Sequence, residues 1–186
     1  MKSLNEYINE SILDVDDLII NNDEFINNWI RNNCSTISPY TIKNGIVDVK
    51  GGVVVNNEVT SIDIKFGRVE GQFDLGMSPF LTSLKGCPDY VGGDFTCKWS
   101  KRLTSLQGAP IEVGGSFDCE WCRGLTNLNG APKKVGKNFY CNNCKSLTSL
   151  KGAPKVVGRD FECQGCDQLK SYRYKPKTIG GKFYKD

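Results

Sequence analysis

Apolar residues recur along this chain at a fixed interval. Phe73, Phe95, Phe117, Phe139, Phe161 and Phe183 each follow the last by 22 residues. Leu81, Leu103, Leu125, Leu147 and Leu169 keep the same step. So do Val91, Val113, Val135, Val157 and Ile179, and Pro88, Pro110, Pro132, Pro154 and Pro176. The unit is LTSLxGAPxxVGGxFxCxxCxx, plain in LTSLQGAPIEVGGSFDC and LTNLNGAPKKVGKNFYC. An eroded copy, VTSIDIKFGRVEGQFDL, precedes it with Val59 in the leucine slot, and IVDVKGGVVV supplies strand-type residues before that. Self-similarity at such a period marks a solenoid, in which each repeat buries its apolar side chains against the next copy.

The pattern within one unit predicts the local structure. In FxC the Phe and Cys stand two apart, so on a strand both face inward, while Asp74, Thr96, Asp118, Tyr140, Glu162 and Tyr184 face out. Gly-Ala-Pro and Val-Gly-Gly permit tight corners and exclude a long return helix. Residues 46–186 are therefore expected to form six to seven coils, with turns and extended segments on the far side.

The N-terminal residues follow a different period. MKSLNEYINESIL sets Leu4, Tyr7, Ile8 and Ile12 on one helical stripe, an amphipathic segment over residues 1–12. DEFINNWIRNN opens with Asp23 as an expected N-cap and aligns Phe25, Ile26, Trp29 and Ile30. A terminal coil leaves its apolar edge bare, so residues 13–45 are expected to form a helical cap over it.

The LTSL-bearing repeat resembles the leucine-rich repeat family in its short bacterial and phage form, over about residues 46–186. The resemblance implies a leucine-rich repeat solenoid, mostly β and irregular, with short parallel strands stacked one per coil and an N-terminal α-helical cap. It implies a binding module and leaves the ligand open. One departure is that Cys or Ser, with an extra residue intervening, replaces the family's asparagine. MKSLNEYINE also resembles the leader of internal head proteins of tailed phages, with Ile8-Asn9-Glu10 matching their cleavage signal. That likeness implies a phage-encoded virion component, packaged and trimmed after Glu10.

Two CxxC pairs, Cys119/Cys122 and Cys141/Cys144, have zinc-ribbon spacing. Aligned on Phe, however, the first slot reads Leu75, Cys97, Cys119, Cys141, Cys163 and the second Ser78, Ser100, Cys122, Cys144, Cys166. Leucine can replace a buried thiol and cannot replace a metal ligand, so the pattern favours a structural cysteine ladder over zinc, with disulfides third. Cys34 and Cys87 fall outside it. No cofactor is expected.

Charge adds a gradient that the net value of +3 conceals. Residues 1–33 carry a net −5 and residues 145–186 a net +6. Histidine is absent, which removes His-assisted nucleophiles and imidazole metal ligands. No P-loop, dinucleotide fingerprint or nucleophile elbow occurs. Asp118, Glu120 and Glu162 are expected on an open, wet strand face where nothing raises a carboxylate's pKa, so no enzyme is expected. No apolar run is long enough for a membrane span and no signal-peptide core follows Lys2, so the expected setting is the host cytoplasm, or the virion, and not secretion.

The expected function is protein–protein interaction on the strand face. Trp99 and Trp121 share one slot in adjacent coils, and Thr96, Lys98, Asp118, Glu120, Tyr140, Glu162 and Tyr184 complete the candidate partner surface. Lys101, Arg102 and Arg123 lie nearby in sequence. A second candidate is a basic stripe of Lys133, Lys134, Lys137, Lys155, Arg159, Lys177 and Lys182 that could meet nucleic acid or another anion.

Overall fold

The computed structural model describes residues 15–185, leaving the leader over residues 1–12 and the cleavage point after Glu10 outside the described residues. The described residues begin with helix α1 (Val15–Asn33), followed by β1 (Cys34–Ile37), β2 (Tyr40–Lys43), β3 (Ile46–Val49), β4 (Val53–Val55), β5 (Lys65–Val69) and β6 (Phe73–Asp74). Each later coil then adds two short strands. These are β7 (Tyr90–Val91) and β8 (Phe95–Thr96), β9 (Glu112–Val113) and β10 (Phe117–Asp118), and β11 (Lys134–Val135) and β12 (Phe139–Tyr140). The last are β13 (Val156–Val157) and β14 (Phe161–Glu162), then β15 (Thr178–Ile179) and β16 (Phe183–Tyr184).

Strands stack one per coil in each of two eight-stranded sheets. The first runs β1-β4-β6-β8-β10-β12-β14-β16, the second β15-β13-β11-β9-β7-β5-β3-β2. The second sheet lies where sequence reasoning left turns and extended segments. Its signal is a single alternation: Val113 and Val135 point inward while Glu112 and Lys134 point out. Pairing is parallel throughout the coils, with Phe117 opposite Phe95 on one side and Phe139 on the other. Among the described residues only β1 on β4 and β2 on β3 are antiparallel, both toward the N-terminal end of the stack.

The shared register piles like on like. Phe73, Phe95, Phe117, Phe139 and Phe161 stack with centroids 5.1 to 6.0 Å apart and planes within 9°. The last step, to Phe183, is tilted by 52°. Each stacked pair adds about 0.5 to 1.5 kcal/mol to the burial of the rings. Leu103, Leu125 and Leu147 line a parallel column with no exposed surface. Two glycine rows make the close approach possible. A Cβ on Gly114 or Gly136 would press into the carbonyl oxygen of the matching glycine one coil earlier. Gly108 and Gly130 turn the Gly-Ala-Pro corner at φ near +92°, where other residues are strained.

The N-terminal end is closed by α1 and the antiparallel strands. Ile26, Trp29 and Ile30 are buried, and Trp29 meets Phe66 edge-on at 6.3 Å. Two expectations fail here. Asp23 is not an N-cap, because the helix already runs from Val15 with no breaker before it, and the Asp23 carbonyl accepts a bond from Asn27 Nδ2. Phe25 is 52% exposed, because the buried stripe follows positions 26, 29 and 30 and leaves Phe25 on its flank. Within the segment 13–45, residues 34–37 and 40–43 are strands rather than helix. Among the described residues no helix is long and apolar enough to cross a membrane.

The cysteines of the two ladder slots stack along the coils, and all nine cysteines are buried except the half-buried Cys34. Their thiols bond in opposite directions. Cys119 and Cys141 donate forward to the Tyr140 and Glu162 carbonyls at 3.3 Å. Cys122, Cys144 and Cys166 donate backward to the Cys97, Cys119 and Cys141 carbonyls at 3.1 to 3.2 Å. Burial pushes the Cys119 and Cys141 thiols well above their ordinary range, which keeps them protonated donors. Among the described residues no three Cys, Asp or Glu side chains are grouped to hold a metal ion.

Ser78 and Ser100 occupy the second cysteine slot with hydroxyls that are buried and unpartnered. A C–O bond is shorter than a C–S bond, so the hydroxyl falls short of the carbonyl that a thiol reaches. Ser100→Cys should therefore stabilise the stack. Cys144→Ser should destabilise it by about 1 to 3 kcal/mol. Urea denaturation of the two variants checks both signs.

Candidate interaction surface

The outward row of the first sheet stands in register: Asp74 beside Thr96, Thr96 beside Asp118, Asp118 beside Tyr140, then Glu162 and Tyr184. Its first four members line a groove of about 340 Å³ with Asp94, Lys98 and Ser116. Side-chain bonds hold the walls. Asp118 Oδ1 accepts the Glu120 N–H at 3.0 Å, and Lys98 Nζ approaches Asp118 Oδ2 at 3.8 Å. Asn138 Nδ2 donates to the Tyr140 hydroxyl at 2.6 Å.

The groove corrects one expectation. The strand face is not uniformly open and wet, since the Asp118 side chain is 18% exposed. Burial raises its pKa to about 6, with the Glu120 and Asp74 carboxylates adding to the rise and the Glu120 N–H and Lys98 opposing it. The neighbouring rungs that could have screened it are Thr96 and Tyr140, neither of them cationic.

Beyond the groove the candidate residues separate. Glu120 and Glu162 are tied together by Asn142, whose Nδ2 donates to Glu120 Oε1 at 2.7 Å and Glu162 Oε2 at 3.1 Å. Asn142 is itself buried, so this is a clamp across three coils. Tyr184 stands two rungs past Tyr140 in the final strand, outside the groove.

Trp99 and Trp121 lie at the corner that follows the strand, half-buried and stacked at 4.6 Å with planes 4° apart. Both adopt left-handed backbone, φ +64° and +59°. Lys101 and Arg123 lie over the two indoles at 5.9 and 5.4 Å. Sequence reasoning missed two neighbours. Met77, 62% exposed, occupies the tryptophan slot of the preceding coil, and Phe80, 45% exposed, has Arg102 over its ring at 5.3 Å. Carrying the Phe alignment one repeat earlier would have found both. The result is a ridge of apolar side chains capped by cations, beside a groove of hydrogen-bond acceptors.

Fold and surface together define a β-solenoid of about six turns with repeats of about 22 residues. No known family model matches the chain, and no curated protein or solved structure matches it either.

The raised Asp118 pKa has a fixed sign for stability. Its folded value, about 6, lies above the ordinary carboxylate value, so the folded state binds the extra proton in between. Stability should fall as pH rises from about 4 through about 6. Asp118→Asn should flatten that fall by roughly 2 to 3 kcal/mol, measured by chemical denaturation across the range.

Proposed function

We propose that this chain is a non-catalytic protein-binding module of leucine-rich-repeat type, phage-encoded and acting in the host cytoplasm. Its partner docks on the tryptophan ridge and the adjoining acidic groove. The repeat and leader resemblances support the class and the setting.

One observation carries the binding reading: the left-handed backbone of the two tryptophans. A bulky residue at positive φ is strained by about 1 kcal/mol or more. The equivalent residues two and three coils on from Trp99 are Asn143 and Gly165, at φ +59° and +66°, and these types accept the conformation. The indoles fill no core, so their mutual stacking is the chief return within the molecule. Trp and Arg are the residues that most often dominate binding energy at interfaces. Here Trp99 and Trp121 sit with Arg102 and Arg123, none of whose guanidinium groups has an ion pair among the described residues. A partner segment that sets apolar anchors and acidic residues on the ridge and its hydrogen-bond donors or cations in the groove fits this chemistry.

Replacing both tryptophans by asparagine separates fold from binding, because the fold already uses Asn143 in that slot. The double variant Trp99→Asn/Trp121→Asn should keep or raise the melting temperature while losing partner capture in a pull-down from host extract. A clear drop in stability would assign the pair to packing instead.

A further inference from the structure

The outer face of the second sheet changes its charge along the stack. Toward the N-terminal end the charges are matched: Lys65 with Asp89 at 2.8 Å, Arg68 with Glu70 and Lys134 with Glu112 at 2.6 Å. Farther on, the slot held by Asp89 becomes Ile111, then Lys133, Lys155 and Lys177. At the other end of the same strands Gly115 gives way to Lys137 and Arg159. Backbone bonds hold both rows in step. The Lys155 N–H donates to the Lys133 carbonyl and the Arg159 N–H to the Lys137 carbonyl, each at 3.0 Å. All five cations are exposed, and none has an ion pair among the described residues.

Successive strands in a sheet lie about 4.8 Å apart, so each row sets like-charged residues one strand apart. Repulsion between neighbouring like charges works against the stack. Residues 168–185 add Lys170, Arg173, Lys175, Lys182 and Lys185 and contain no acid. Surfaces a base could contact are exposed along this stretch: Val156 in β13, Ile111 one coil before Lys133, and Tyr174, 48% exposed beneath the Arg173 guanidinium, in the turn before β15.

We propose that this face binds single-stranded nucleic acid along the axis of the stack. Two parallel rows flanking strands only two residues long make a narrow linear track. That shape fits one extended phosphate backbone better than a duplex or the plane of a membrane. Lys133, Lys155, Lys177, Lys137 and Arg159 neutralise phosphates, and Tyr174 offers a stacking face. The site is separate from the tryptophan ridge and does not depend on it.

The test is fluorescence anisotropy of the full chain with a labelled oligothymidylate of roughly 16 nucleotides. Five phosphate contacts predict a slope of log K against log salt of about −3.5 between about 50 and 200 mM. Lys133→Gln/Lys155→Gln/Lys177→Gln should weaken binding by tenfold or more and cut the slope to about −1.4. Trp99→Asn/Trp121→Asn should bind as the unmodified chain does, which distinguishes failure here from failure of the protein-binding reading. With the repulsion along the row relieved, the exposed glutamines should keep or raise the melting temperature, and if they lower it the single variant Lys155→Gln should still lower the slope by about 0.7. No binding at about 50 mM salt, an unaltered slope in the variants, or tighter binding to phosphatidylserine vesicles or to duplex DNA would each overturn the proposal.

Discussion

Every residue in these coils must live beside its own copy. The parallel register sets position n against position n + 22 at the distance of neighbouring strands, and that constraint selects which side chains each slot can hold. Phenylalanine satisfies it by stacking on itself and leucine by interlocking with itself. A buried polar group satisfies it only if it can bond to something other than its twin. The thiol rows do so by donating to carbonyls, one row forward and one back. The polar turn before the first-sheet strands does so through side chains that accept the next coil's N–H: Asp94 from Ser116, Asn138 from Asp160, and Asp160 from Lys182.

The same rule explains why the N-terminal end looks different. A coil with no predecessor has nothing identical to lie against, and parallel edges there would leave apolar rungs open. The chain reverses direction in β1 and β2 and lays Ile26, Trp29 and Ile30 of α1 on the first rungs. The ring sequence records the transition. Trp29, Phe66 and Phe73 meet edge-on, and parallel stacking begins only with Phe95. The regular repeat rests on a cap packed by ordinary globular rules.

The interior was legible because it is written once per coil. Six phenylalanines at one spacing gave the period, the inward face and the column without coordinates. The comparison of Leu75 with Cys97 was enough to rank thiols as core. The second sheet was harder to see, since two-residue strands offer a single alternation. The corner was harder still: no side-chain pattern reports a backbone dihedral, and Trp99 gives no hint of φ until Asn143 and Gly165 are recognised as its equivalents. Burial of Asp118 depends on the walls built by Asp94, Lys98 and Ser116, which converge only once the coil has closed. At the cap, Asp23 satisfied the local rule for a helix start, but the helix was already under way.

A fold that repeats its interior also aligns its exterior, and there the rule separates what the stack needs from what it merely tolerates. Matched charges such as Lys65 with Asp89 or Lys145 with Asp167 are what a ladder would choose for itself. Glu120 and Glu162 show the repair available to like charges, an asparagine placed between them. The paired tryptophans and the lysine rows receive no such repair. The first pair holds a strained backbone at a site where asparagine is already accepted. The second sets like charges one strand apart with no acid between them. Each carries a cost that the stack does not require, and each lies on a different face. Departures of this kind are where we propose that function lies, because the interior has no freedom left to express it.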